Sequence, residues 1–226
     1  ELEQVFSRQA AAAYLNLTLN EEIGNTQKEM IFAIGEVVET RSKETGQHVR
    51  RVGEISRLLA RLHGLREEEA ELLCFASPMH DVGKIGIPDQ VLNKPAALTT
   101  DEFQIMKSHC EIGHNIFRHS KRRILRTAAI ICNPHHERWD GTGYPLGLAG
   151  EQIHIFGRIT AIADVFDALY HDRVYKKAWP LADITEHFKQ GRGSQFDPVL
   201  VDLLLEHLDE FIAIQNALPN QPLSSC

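Results

Sequence analysis

An all-α fold is predicted for this chain by three observations. Apolar residues recur with a period near 3.6, no short run alternates as a half-buried strand would, and an apolar content of 43% over 226 residues supplies an ample core. Residues 1–25, rich in Ala and Leu and ending in the polar break LNEEIGN, read as a helical connector, and the boundary of this connector is set at residues 1–34. From Thr26 to about Arg41, the stripe Met30, Ile31, Ile34, Val37 and Val38 predicts a helix packing on the core or on a partner copy. In the next helix His48, Val52, Ile55, Leu59 and Leu62 share one face, so His48 begins a buried stripe. Thr45 is its expected N-cap, with Glu44 just outside the first turn. Ala70, Leu73, Ala76 and His80 share a face in the helix that follows, and Pro78 is expected to kink it.

The segment IGIPDQVLNKPAALTTDEF reads as a loop until Thr100 opens a helix with acidic residues in its first turn, and His109 lies on that helix. After a helix over about residues 122–132 comes NPHHERWDGTGYPLGLAG, whose glycines and prolines forbid long regular structure. Long ordered loops of this kind usually carry function. The helix from Arg158 to Tyr170 is apolar almost all round and must be buried, so Asp164 within it needs a partner or a metal. Helices near 181–190 and 198–214 close a main domain assigned to residues 35–214, and residues 215–226 form a frayed tail.

Composition narrows the function. A formal charge of −7 argues against binding a DNA or RNA duplex, because such affinity comes from broad basic patches. No apolar run reaches the roughly 20 residues of a membrane span. Cys74, Cys110, Cys132 and Cys226 form no CxxC pair, which predicts reduced packing thiols and a cytoplasmic setting. The first residue is Glu and no signal pattern follows, so a fragment of a longer protein is expected, with domains upstream.

Five imidazoles and three carboxylates stand out as metal-ligand candidates: Glu44, His48, His80, Asp81, His109, His135, His136 and Asp164. Mixed imidazole and carboxylate sets suit hard divalent ions such as Mn or Fe(II), and the HD and HH doublets can each serve two adjacent ions. Lys84, Arg173 and Lys176 suit a phosphate clamp. Tyr144, flanked by Gly143 and Pro145, offers a ring for a base and a hydroxyl for a phosphate. The whole reads as a multi-metal phosphodiester hydrolase site. His63, His114, His119, His154, His171, His187 and His207 read as surface or packing residues.

Carried by ETGQHVRR, HDVGKIGIPDQVLNKP, MKSH, HHERWDGTGYP, RITAIADVFDAL and RVYKKAWP, the stretch from about Gly35 to Glu210 resembles the HD-GYP family, a branch of the HD superfamily that degrades bacterial cyclic dinucleotides. The resemblance implies an HD-type helical bundle with two or three divalent ions, iron or manganese, on the eight positions above, with Asp81 bridging and Glu44 serving a third ion. It implies phosphate contacts from Lys84, Arg173 and Lys176, and a substrate-lining loop at Gly143 and Tyr144. Gly157, His154 and the pair Tyr170 and His171 depart from the family pattern, the last bearing on pocket width or base preference.

The expected reaction is hydrolysis of cyclic di-GMP to pGpG, and on to GMP, by a hydroxide bridging the ions, with Asp81 and Lys84 as catalytic residues. The alternatives are a cyclic GMP-AMP phosphodiesterase of the same family, and a non-catalytic sensor or module that docks diguanylate cyclases through the GYP loop. An HD nucleotidase would leave the GYP loop without a purpose. Pairing of two copies through the N-terminal helices is a further expectation.

Overall fold

The computed structural model describes residues 2–42, 46–172 and 177–218. Glu44, Thr45, Arg173, Lys176 and Cys226 lie outside the described residues. Among those described, ten α-helices and three short 3-10 turns occur, and the only extended pairing consists of the isolated bridges Asp140 to Ala149 and Arg192 to Phe196.

Helix α1 spans Leu2–Arg41 without a break at LNEEIGN. Gly24 and Asn25 cost an exposed helix only about 1 kcal/mol or less each, so that polar segment does not interrupt it. The stripe expected on this helix divides in two. Ile31 and Val38 are buried against the domain, whereas Met30, Ile34 and Val37 face solvent. The 100° advance per residue puts positions 31 and 38 on a different side from 30, 34 and 37, which spacing alone did not separate.

Helix α2 (Gly46–Leu62) is the central strut. Val52, Ile55 and Leu59 are fully buried, as the stripe predicts, and pack with α3 (Glu67–Ala76), α6 (Arg123–Cys132) and α7 (Ile155–Tyr170) around Leu73, Ile131, Ile162 and Phe166. Burial of one such large side chain contributes roughly 1.5–3 kcal/mol. Helices α8 (Leu181–Gly191), α9 (Pro198–Glu206) and α10 (Leu208–Ala217) close the far side through Phe188, Leu204 and Phe211.

Pro78 does more than kink its helix. α3 ends at Ala76, and Ser77–Met79 continue as a 3-10 turn, because proline has no N–H to donate into the α ladder. The tighter turn sets His80 and Asp81 at the end of the helix rather than along it. A second 3-10 turn, Val82–Gly86, and the one-turn helix α4 (Asp89–Leu92) then lead to α5 (Thr100–Phe117). Thr99 caps α5 by accepting from Glu102 N, while Glu102 reaches back to Thr99 N at 2.7 Å.

Where the HD turn crosses α5, a Cβ on Gly83 would lie 1.8 Å from the His109 carbonyl oxygen and 2.6 Å from Gly113 N. Both are backbone atoms and cannot swing away. Gly83→Ala is therefore expected to cost about 3 kcal/mol or more and to separate Asp81 from His109. Thermal denaturation alongside metal content checks this; wild-type values for both would contradict the crossing described.

Candidate metal centre and substrate cleft

Five elements each bring one or two donors to one place: His48 from the first turn of α2, His80 and Asp81 from the turn after α3, His109 from α5, His135 and His136 from the loop after α6, and Asp164 from α7. The donors form two groups, His109 with His135, His136 and Cys110, and His48 with His80 and Asp164, and within each group the ligand atoms lie within 4.8 Å of one another. Asp81 stands between them. Its Oδ1 is 3.2 Å from His109 Nε2 and 3.5 Å from His135 Nε2, and its Oδ2 is 3.4 Å from His80 Nε2 and 2.6 Å from Lys84 Nζ. Each carboxylate oxygen thus addresses a different group. Cys110, read from the sequence as a packing residue, is buried yet holds its Sγ 3.5 Å from His109 Nε2.

The orientation of the imidazoles is set from behind. His80, His109 and His135 each donate from Nδ1 to the carbonyl three residues earlier, on Ser77 (2.8 Å), Met106 (2.6 Å) and Cys132 (2.8 Å). A carbonyl can only accept, so Nδ1 carries a proton in each and Nε2 is the nitrogen that turns inward. His48 does the same through Asp167 Oδ2 at 2.7 Å. Two consequences bear on metal binding. His109 Nε2 and His135 Nε2 face each other at 3.3 Å, so that lone pair opposes lone pair once His109 gives up its Nε2 proton. His80 Nε2 and Asp81 Oδ1 are buried without a properly aimed hydrogen-bond partner among the described residues, close though Asp81 Oδ1 lies to His109. Converging lone pairs held by carbonyl or carboxylate partners are the arrangement a divalent cation requires, and these residues fit such ions.

Electrostatics agrees. Burial opposes charge on His80 and His109, yet the Asp81 carboxylate lifts them to about 9 and about 10. Burial, and after it the charge of the neighbouring imidazoles, pushes His135 down and His136 well below the ordinary histidine range, against the pull of Asp81. Asp81 is held well below the usual carboxylate range, against its burial, by Lys84 and then His80. Protons on His80 and His109 therefore stand where cations would bind, and metal uptake must release them.

Several supporting residues escaped the sequence reading. Asp167 is buried at 2% exposure and binds both His48 and the fully buried Arg51, whose Nε and Nη2 donate to it at 2.5 and 3.0 Å. Arg51 Nη1 also donates to the Leu218 carbonyl at 3.0 Å, tying the end of α10 to this network. Glu39, buried on α1, lies 3.5 Å from Lys84 Nζ. Arg41 donates to the carbonyls of Lys84, Ile85 and Ile87 at 2.7–2.8 Å, which clamps the HD turn to the end of α1.

The GYP loop forms one wall of an open cleft of about 340 Å³ lined by His135, His136, Asp164, Gly143, Tyr144, Phe103 and Lys107. Glu137 is buried and accepts from the backbone of Leu146 (2.7 Å) and Leu148 (3.1 Å), which pins the loop. A Cβ on Gly143 would lie 2.3 Å from Arg138 N, so only glycine allows the loop to fold back this closely. Tyr144 stacks on His136, with ring centroids 4.7 Å apart at 29°, and burial pushes its phenol up, keeping it a donor. His154 and His171, both departures from the family pattern, do structural work: His154 Nδ1 accepts from Phe156 N at the start of α7, and His171 Nε2 lies 2.7 Å from Gln215 on α10. His114 Nδ1 donates to the Ala129 carbonyl at 2.9 Å, away from the donors, as a packing residue would.

Comparison with known proteins bears on the family and the fold. The model of the HD domain matches residues 33–200. The chain is 47% identical over 220 residues to a 3'3'-cGAMP-specific phosphodiesterase 2 of Vibrio cholerae, covering 97% of this chain and 42% of that protein. It is 42% identical over 184 residues to the cyclic di-GMP phosphodiesterase response regulator RpfG of Xanthomonas campestris, covering 81% and 49%. The chain thus spans about half the length of the curated relatives it matches. Among solved structures, a cyclic GMP-AMP specific phosphodiesterase of V. cholerae superposes with a TM-score of 0.62 at 18% identity, covering 86% of this chain and 54% of that one, a likeness of fold. Among the described residues no helix is long and apolar enough to cross a membrane. The match over residues 33–200, together with the HD doublet and the GYP loop, identifies the chain as a member of the HD domain family, of the HD-GYP kind.

Proposed function

We propose that this chain is a metal-dependent phosphodiesterase that hydrolyses a bacterial cyclic dinucleotide. The observation that carries the reading is Asp81, set between two groups of inward-turned donors with one oxygen toward each. His48, His80 and Asp164 would hold one divalent ion, His109, His135 and His136 a second, and Asp81 would bridge them, with Glu44 available to a third. Such ions, when bound, polarise a phosphodiester and lower the pKa of water toward neutrality.

The remaining groups act around them. Lys84, paired with Asp81 at 2.6 Å, places an ammonium beside the bridging carboxylate, where it neutralises charge developing on a phosphoryl oxygen. Arg173 and Lys176 would share this role. Glu137 and Gly143 hold the GYP loop over the cleft, where the Tyr144 hydroxyl serves as a donor. No side-chain nucleophile is needed, and burial pushes the Cys110 thiol beside His109 up and so keeps it protonated.

Cyclic di-GMP is the first substrate. A second reading, 3'3'-cyclic GMP-AMP, is favoured by the 47% identity over 97% of the chain to a phosphodiesterase named for it. Anaerobic turnover of both, side by side, on protein loaded with Fe(II) or Mn tests the function. Linear dinucleotide product from either supports it, and cleavage of neither at full loading points to a sensor or docking module.

A further inference from the structure

Helix α5 contributes more to the cleft than His109. Phe103 and Lys107 lie one turn apart on it and line the same cleft as His136, Asp164 and Tyr144. The rings of Phe103, Tyr144 and His136 make a continuous ledge. Tyr144 stacks on His136 at 4.7 Å, and Phe103 meets Tyr144 edge to face at 6.0 Å and 78°. Lys107 Nζ sits 4.8 Å from the Phe103 centroid and 5.2 Å from that of Tyr144. One face of Tyr144 is therefore already taken by a candidate metal ligand. Phe103, 42% exposed at the outer end, is the ring with surface to offer.

A ligand of two nucleotides carries two purine bases and two phosphodiesters, and only one phosphodiester can lie at the metal donors at a time. At about 340 Å³ the cleft is at the small end of the roughly 300–1,000 Å³ typical of ligand pockets, so part of such a ligand must run out over the rim. Resting on the phosphodiesterase reading above, we propose that Phe103 and Lys107 form an outer subsite for the half of the substrate not being cut. A purine base lies on the Phe103 ring, and the Lys107 ammonium leaves its cation–π position to pair with the second phosphodiester. Aromatic stacking suits either purine, so this subsite holds the substrate without choosing between guanine and adenine.

Steady-state kinetics of Phe103→Leu, Phe103→Trp and Lys107→Gln on both cyclic dinucleotides test this, alongside melting temperature and binding to the metal-free protein. Leucine keeps the packing against Tyr144 but removes the stacking face. Phe103→Leu should raise KM about 5- to 100-fold with kcat within about twofold, and Phe103→Trp should restore it. Lys107→Gln should raise KM and flatten its dependence on salt. Unchanged KM in both Phe103→Leu and Lys107→Gln, in an enzyme whose wild type cleaves the substrate, overturns the subsite and leaves the phosphodiesterase reading standing. Wild-type protein that neither binds nor cleaves cyclic dinucleotides overturns both. Wild-type protein that binds without cleaving overturns only the catalytic reading, and a 5- to 100-fold loss of affinity in Phe103→Leu then supports the subsite.

Discussion

Asp81→Ala is expected to reduce turnover of cyclic dinucleotides by about 10³-fold or more, since the carboxylate proposed to bridge the ions would support several kcal/mol of charge stabilisation and each 1.4 kcal/mol is a decade in rate. The fold should survive. Asp81 lies in a turn rather than in the apolar core, and the 3-10 geometry around it rests on backbone bonds such as Lys84 N to Asp81 O at 2.9 Å. Removal of the carboxylate strips the raising influence from His80 and His109, so both imidazoles should lose their protons more readily. Metal content should fall together with activity. Activity within tenfold of wild type in a folded, metal-loaded variant would show that Asp81 is no bridge.

Asp167→Asn should be the most damaging change outside the proposed ligands. The amide cannot match the charge of Arg51, which is fully buried, and breaking a buried pair from one side costs roughly 3–5 kcal/mol. It also leaves one acceptor oxygen where His48 and Arg51 now share two, and weakening the partner that turns His48 Nε2 inward typically lowers metal affinity about 10- to 100-fold. The pH dependence has a definite sign. Burial favours protonated Asp167, but His48 and Arg51 hold its pKa below the ordinary value. Its contribution is therefore complete above the unfolded carboxylate pKa of about 3.9 and is lost as pH falls through the depressed folded value. Wild type and Asp167→Asn should differ most in melting temperature from about pH 5 upward and converge in acid. Parallel curves across the whole range would show that Arg51 is compensated elsewhere.

Much of this site was legible in the sequence because its signals are local. The stripe through His48, Val52 and Ile55 identifies an inward histidine, the doublets name two donors each, and an acid in an apolar helix demands a partner. That last argument applies equally to Asp167, three residues beyond Asp164 on the same helix, and it would have found the Arg51 network. What sequence could not show depends on tertiary crossings. Phe103 and Lys107 are unremarkable on α5 until Tyr144 arrives from a loop about 40 residues later. Gly83 becomes necessary only because α5 passes within a Cβ radius of it. Pro78 announces a disturbance, but whether a helix bends or stops there depends on packing around it. The two faces of α1 likewise look alike until one of them meets the domain.

Two ion sites joined through Asp81 are the core of the proposed mechanism, and a metal titration of the metal-free protein under anaerobic conditions tests them most directly. Turnover of cyclic di-GMP or cyclic GMP-AMP should stay near background until about one Fe(II) or Mn per chain is bound, then rise steeply toward two, with protons released as His80 and His109 give up theirs. Full activity at a single bound ion, or activity independent of metal content, would contradict the bridged centre.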